Sequence, residues 1–355
     1  MVSFDYRGFW FVIKSLFIFF LAVFLAKNTP YWFLKTELDP GNAQIQQLAL
    51  TASAVKIDKD KPLKLALVGD IMLSRNVEKA IFNVGNGDFN FPFLKLGNEL
   101  RNYDLLFGNL EGPISDRGED IGSPYSFRMS AKTAEALRDT GFDVLSVANN
   151  HIGDWGAKGI YDTIFHLKRV GLAYVGAGLT EDEASGAKFF EIGNTRFAFL
   201  AFNDVPSFYI EKNDEVFVSS ANPGEIQKQI KKAKEAADIV IVSFHFGEEY
   251  QSEPSPSQKT LAQFAVEQGA DLVIGHHPHV TQPIEKYKNS FIAYSLGNFV
   301  FDQNFSEDTM RGLLLDVELE DGQIAKVESK TIVINENFQP ILVKNCVGIG
   351  TCSGW

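Results

Sequence analysis

An α/β sandwich, its sheets covered by helices, is the fold class predicted for this 355-residue chain. Three observations carry the prediction. From Leu63 onward, short β-rich apolar runs alternate with helical patterns, as layered α/β domains require. Two hairpin signals, Gly193-Asn194 and Asp321-Gly322, interrupt that alternation. A dense apolar segment near the start adds an N-terminal membrane-anchor helix.

That segment, "FWFVIKSLFIFFLAVFLA" (Phe9 to Ala26), is apolar except for Lys14 and Ser15, and as a helix it would be about 27 Å long. Arg7 and Lys14 precede its densest part, which predicts a cytoplasmic tip and a body outside the cytoplasm, although Lys27 and Lys35 reduce the asymmetry. An uncleaved anchor is preferred to a cleaved signal peptide, because no small-x-small site closely follows the apolar run. A buried core helix is the third reading, disfavoured by phenylalanine on every face. The chain is thus divided into an anchor with its tip (1–29), a mixed linker (30–61), one domain (62–335) and a tail (336–355).

Within the domain, "LKLALVG" is a first strand, followed by a helix near Val77 to Asn83 and the strand "YDLLFGN". A long polar loop (Pro113 to Ser130) leads to a helix from Ala131 to Asp139 and the strand "DVLSVAN". A helix from Gly156 to Val170 precedes the strand "LAYVGAG", and "FFEIGNTRFAFLAFN" turns back on itself as a hairpin. Next come a charged helix (Pro223 to Ala237), the strand "DIVIVSFH", a helix (Gln258 to Gln268) and the strand "DLVIGHH". The hairpin "GLLLDVELEDGQIAKVESKTIVI" closes the domain. In the tail, Cys346 and Cys352 form a disulfide loop or remain thiols according to compartment; no zinc spacing surrounds them.

The composition, 45% hydrophobic and 22% charged, is that of a folded protein. A net charge of −12 offers no basic field and excludes nucleic acid as a general partner. An anionic ligand therefore has to be held by local devices.

Ligands of open α/β sheets gather beyond the carboxyl ends of the strands, and there this sequence places an unusual set of polar residues. They are Asp70 in "LALVGDIM", Asn109 and Glu111 in "LLFGNLEG", Asn149, Asn150 and His151 in "VLSVANNHIGD", His245 in "IVIVSFHFGEEY", and His276, His277 and His279 in "LVIGHHPHV". Singly each has an ordinary explanation as a cap, turn or structural histidine. Together, carboxylate, amide oxygen and imidazole suit divalent ions of intermediate hardness such as Mn, Fe, Zn or Co, one or two in number. Two ions bridged by a carboxylate could clamp a phosphoryl oxygen and activate water.

The set "VGDIMLSR", "GNLEGPIS", "SVANNHIGDWG", "SFHFGEEY" and "VIGHHPHVTQP", with "SLGNFVFDQ", resembles the CapA (PgsA) family of capsule and poly-γ-glutamate biosynthesis, itself related to calcineurin-like metallophosphoesterases. The resemblance covers about Leu65 to Gln303. It implies a metallophosphoesterase-like αββα sandwich, usually membrane-anchored. It implies Asp70 as first-metal carboxylate, Glu111 as the bridge, Asn150, His245 and His277 as second-metal ligands, His279 as a first-metal ligand, and His151 as the group assisting the substrate or leaving group. His276 falls outside the HxH pair and is expected behind the ligands or at the surface.

One departure stands out. The phosphoesterase pattern begins Asp-x-His, and here the third position is Met72, whose thioether is a poor ligand for harder ions. The first-metal site then keeps only Asp70, Glu111 and His279. Arg75 and Arg128 are candidate contacts to an anionic substrate, and Glu249 is expected to orient the ligands.

Three functions follow. The first is a single-pass cell-membrane protein of capsule or poly-γ-glutamate biosynthesis or export, acting on an anionic polymer or its precursor beside other membrane subunits. The second is an active metal-dependent phosphoesterase on another substrate. The third is a non-catalytic scaffold of a polymer synthesis complex.

Overall fold

The structure, a computed structural model, describes residues 62–207 and 216–343. The anchor, the linker and both cysteines lie outside the described residues. No helix among the described residues is long and apolar enough to cross a membrane.

In chain order the first half supplies β1 (Leu63–Ile71), α1 (Arg75–Asn83), β2 (Leu105–Leu110), α2 (Lys132–Thr140), β3 (Val144–Ser146), α3 (Gly156–Val170), β4 (Ala173–Val175), β5 (Lys188–Ile192) and β6 (Thr195–Asn203). The second half supplies α4 (Pro223–Lys234), β7 (Ile239–His245), α5 (Pro256–Gln268), β8 (Leu272–His276), β9 (Ile284–Tyr287), β10 (Ser290–Ala293), β11 (Asn298–Val300), β12 (Arg311–Glu320), β13 (Gln323–Ile334) and β14 (Pro340–Leu342). An eight-stranded sheet runs β14-β13-β12-β1-β2-β3-β4 with β11 beside β1, and a six-stranded sheet runs β9-β10-β8-β7-β6-β5.

Strand parity explains why these sheets stack. Along β1, Leu65 and Leu67 enter a core shared with the second sheet, while Ala66 and Val68 pack toward α1, α2 and α3. In the second sheet Phe197, Phe199, Ile239, Ile241, Leu272 and Ile274 face the first, and Ala198, Leu200, Val240 and Val242 face α4 and α5. Strands buried on both faces read as continuous apolar runs, as these do. The rings of Phe107 and Phe199 stack across the shared core at 5.6 Å, worth about 0.5–1.5 kcal/mol beyond their burial. The result is an αββα sandwich.

The helix ends follow local chemistry. Ser255 and Gln258 form a reciprocal capping box on α5, with Pro256 at its first position. Asn222 caps α4 by accepting from the Gly224 and Glu225 backbone N–H groups. The hairpin of β12 and β13 turns where expected, with Asp321 and Gly322 both at positive φ (51° and 73°).

Several expectations are corrected. The strand expected over "LAYVGAG" breaks at Gly176, whose φ of 98° leaves the extended region; only glycine fits there, since a Cβ would sit 2.4 Å from that of Ala148. The charged helix ends at Lys234, whose ammonium turns to Asp271 and the Asp238 carbonyl. Strands β9, β10 and β11 had no counterpart in the sequence reading, being only three or four residues each. The boundary placed after 335 falls inside the first sheet, since β14 pairs antiparallel with β13.

Candidate metal centre

Within each sheet the strands bearing the candidate residues are parallel, so their carboxyl ends share one edge. Asp70 lies at the end of β1, with Asn298 of β11 as its register partner. Glu111 follows β2, fixed by its backbone N–H to the Ile71 carbonyl at 2.9 Å. His245 and His276 close β7 and β8 as register partners. Both continue the inward parity of their strands, which buries imidazoles between the sheets.

Asp70, Glu111 and Asn109 are fully buried, and His245, His276, His277 and His279 nearly so. One ligand atom each from Asp70, Glu111 and His245 lie within 4.8 Å of one another; Glu249, His277 and His279 form a second such group. His245 Nε2 meets Asn150 Oδ1 at 2.8 Å. His279 stands 3.4 Å from Asp70 Oδ2 and 3.5 Å from Glu111 Oε1. The 3.4 Å approach is made by His279 Nδ1 and the 3.5 Å approach by Nε2, so only one of the two nitrogens can serve a given ion; the donor set of carboxylates, amide oxygen and imidazoles is one that suits a divalent cation. The fit is supported by two buried atoms with no hydrogen-bond partner, Glu111 Oε1 and His277 Nδ1, which would otherwise be costly to bury.

Supporting groups restrict which atoms remain available. Asp70 Oδ1 accepts from Asn109 Nδ2 (2.9 Å) and faces His276 Nδ1 (3.0 Å), leaving Oδ2 toward His279. Asn298 Oδ1, 2.9 Å from His279 Nδ1, turns that ring's Nε2 toward Glu111. His277 and His279 both have positive φ (97° and 57°), unusual for residues with a side chain and worth about 1–3 kcal/mol of strain each. Tyr250 N–H to the Pro278 carbonyl (2.8 Å) and Phe246 N–H to the His276 carbonyl (3.1 Å) hold that turn.

The electrostatics are those of crowded acids and bases. Burial pushes Asp70 upward, yet His276 and His279 outweigh it and hold the carboxyl well below its usual range. Burial drives Glu111 well above the usual range against the pull of His279. Burial, then His279, lowers His277 to about 3; burial and His277 hold His245 well below the usual imidazole value. Burial alone would lower His279, but Glu111 and Asp70 raise it to about 9.

His151 is aimed by Asp154, whose Oδ2 lies 2.8 Å from Nδ1, and its Nε2 points toward Glu111 Oε1 at 4.0 Å. Phe127 covers the ring at a centroid distance of 4.2 Å. A cavity of about 190 Å³ beside His151 and His279 is lined by Arg75, Tyr125, Glu249 and Tyr250, among others. Arg75 reaches it held by Asp302 (Nε to Oδ2, 3.2 Å). Arg128 is placed differently: its guanidinium lies 3.7 Å from the Trp155 ring centre, and it is not among the residues lining that cavity. His276 is buried against Asp70, so the surface alternative for it is withdrawn. Met72 is fully buried, and its sulfur accepts from the Ser74 hydroxyl at 2.9 Å and backbone at 3.1 Å.

The sequence names Asn109 at a strand end without a ligand role, and it gives no role to Asn298, Asp154 or Asp302. Asp154 stands three residues from His151, a signal within one short window. Asn298 reaches the site through the β1–β11 pairing, and Asp302 through its bond to Arg75.

The sequence profile of the family described as "Bacterial capsule synthesis protein PGA_cap" matches residues 64–303. The chain is 38% identical over 291 residues to a capsule biosynthesis protein CapA of Bacillus anthracis, covering 79% of this chain and 70% of that protein. It is 34% identical over 286 residues to the PGA biosynthesis protein CapA of Bacillus subtilis (strain 168), covering 79% and 74%. Among solved structures it is similar to a phosphatase from Mycoplasma pneumoniae at 15% identity and a TM-score of 0.49, over 77% of this chain and 94% of that one. The profile spans more than half of the sequence and carries every strand-end motif described above, and the chain belongs to the bacterial capsule synthesis protein family PGA_cap.

Proposed function

We propose that this protein is a membrane-anchored, extracytoplasmic component of capsule or poly-γ-glutamate biosynthesis or export, built around a divalent-metal centre. The names of the two CapA relatives support the pathway. The observation that carries the metal centre is the burial of Asp70, Glu111 and His245 with ligand atoms within 4.8 Å and Glu111 Oε1 unpartnered. Asp70, Glu111 and His279 would hold one ion, and Asn150, His245 and His277 the other, with Glu111 between them. Mn, Fe, Zn and Co suit such a donor set. The substrate is an anionic polymer or its precursor, and the partners are other membrane subunits of the synthesis complex.

The same geometry supports hydrolysis at this site. A bound divalent ion supplies Lewis-acid polarisation of a substrate oxygen. Arg75 offers its guanidinium to the anionic group from the cavity wall, fixed by Asp302. His151, oriented by Asp154, presents Nε2 to the reacting region and can give a proton to a leaving oxygen. Phe127 shields that ring from water on one face.

Elemental analysis of the purified full-length protein, followed by phosphoester and polyglutamate assays with and without chelator, tests the reading. Stoichiometric metal with chelator-sensitive turnover is expected. Folded protein that takes up no metal after reconstitution refutes the metal centre and leaves the scaffold function.

A further inference from the structure

The phosphoesterase pattern places a histidine at position 72, and this chain has methionine there. Its sulfur is fully buried and committed to Ser74, so the residue cannot turn toward the ions without leaving the core. The first-metal group is thereby short of a ligand. On the opposite sheet, the loop after β7 brings a carboxylate beside His279, the histidine assigned to that group. Glu249 offers an oxygen within 4.8 Å of ligand atoms of both His277 and His279, and it lines the cavity beside His279 and His151.

The position of Glu249 is built into the backbone. Phe246 N–H bonds the His276 carbonyl and Tyr250 N–H bonds the Pro278 carbonyl, at 3.1 and 2.8 Å, so the turn carrying Glu249 is laced to the turn carrying the histidines. Gly247 and Tyr250 take positive φ (92° and 63°) to make that turn. The Gly247 position is tight: a Cβ would meet the Gln258 side chain at 2.3 Å. Beside Glu249, the buried His277 Nδ1 has no hydrogen-bond partner.

We propose that Glu249 is a metal ligand that replaces the histidine missing at position 72. This rests on the metal-centre reading and changes one assignment within it: Glu249 acts on the ion directly instead of orienting other ligands. A hard carboxylate in place of an imidazole shifts preference at that position toward manganese over zinc.

Equilibrium dialysis of the full-length protein in detergent against Mn²⁺, with elemental analysis, counts the ions, and the absorption spectrum of the Co²⁺ form reports their ligands. Two equivalents are expected for wild type. Glu249→Gln should weaken one equivalent about 100-fold or more, beyond the 10–100-fold typical of outer partners, and alter the Co²⁺ spectrum, while Glu249→Asp keeps it within about tenfold. Met72→His added to Glu249→Ala should restore the lost equivalent; because position 72 is a core site, the Gln and Asp variants decide the matter if that double variant fails to fold. Glu249→Gln that binds both equivalents with an unchanged Co²⁺ spectrum overturns this inference alone. Wild type that binds no metal overturns the metal centre itself, and this inference with it.

Discussion

At the ends of β1 and β2 the first sheet presents Asp70 and Glu111, with Asn149, Asn150 and His151 beyond β3; at the ends of β7 and β8 the second presents His245 and the run His276 to His279. Oxygen donors come mainly from one sheet and nitrogen donors from the other. Each set alone would be unfavourable to bury: two carboxylates repel, and so do several imidazoles once protonated. Brought together across the seam, they shift one another in opposite directions, Asp70 down and His279 up. Across the seam Asp70 and His279 thus favour each other's charged form, while Glu111, His245 and His277 are pushed by burial toward neutrality.

Removing one side should have the largest effect. Glu111→Ala and His277→Ala are both expected to abolish stoichiometric metal, a loss larger than the about 10–100-fold associated with outer partners. The two differ in the metal-free protein. Glu111 is the main group that raises the buried His279, and deleting one member of a buried pair leaves the other uncompensated, so Glu111→Ala should lower metal-free thermal stability, whereas His277→Ala, removing an imidazole lowered to about 3 and without such a partner, should cost less. Elemental analysis with melting curves in chelator checks both; a Glu111→Ala protein that retains metal breaks the division of labour.

The two sheets also bring their ends close by the same means. A Cβ on Gly69 would lie 1.9 Å from the Gly297 carbonyl oxygen, and one on Gly275 would lie 1.9 Å from that of Tyr294. Each glycine immediately precedes a site residue. Gly69→Ala and Gly275→Ala are expected to cost about 3 kcal/mol each, at the upper end of overpacking, lowering the melting temperature by about 6–12 °C. Equal losses sharpen the symmetry; a neutral outcome at either shows that end to be deformable.

How much of this was legible depends on the range of the signal. Motif residues such as Asp70, Glu111 and His277 announce themselves because strand, turn and candidate ligand occupy one short window. The helix Gly156–Val170 was readable to the residue, since its 3.6 period is local and Gly171 stops it. Asn298 was not readable, because its role depends on pairing with β1 across more than two hundred residues. Met72 was legible as a departure from the phosphoesterase pattern, whereas the carboxylate proposed above to take its place, Glu249, lies on the other sheet, where no spacing rule reaches.

A smaller effect should come from Asp154, which acts on the first sheet's side without belonging to the seam. Asp154→Asn keeps the shape but weakens the hold on His151 Nδ1, so metal content should stay as in wild type. Any metal-dependent turnover should fall by about 10–100-fold, below the full range of a lost general acid. Coincident loss of metal would place Asp154 in the binding set.

The smallest expected effect concerns how the first sheet anchors its long loop. Ser115 and Arg117, early in that loop, both bond the Asp162 carboxylate on α3, and the Ile114 N–H bonds Thr163 next to it at 2.8 Å. Burial raises Asp162, but Arg117 and Ser115 outweigh it and hold it below the usual value. A carboxyl depressed in the folded state contributes stability that is complete above the unfolded value, about 3.9, and is lost as pH falls through the folded value. Since the Arg117 side chain is largely exposed, the contribution is screened to about 1 kcal/mol or less. Asp162→Asn should therefore lower stability slightly at pH 7 and flatten its decline below about pH 4, as read by denaturant titrations at pH 7, 4 and 3. An unchanged acid limb would mean that the loop is held by its other bonds, the Ile114 N–H to Thr163 among them, and not by the Asp162 charge.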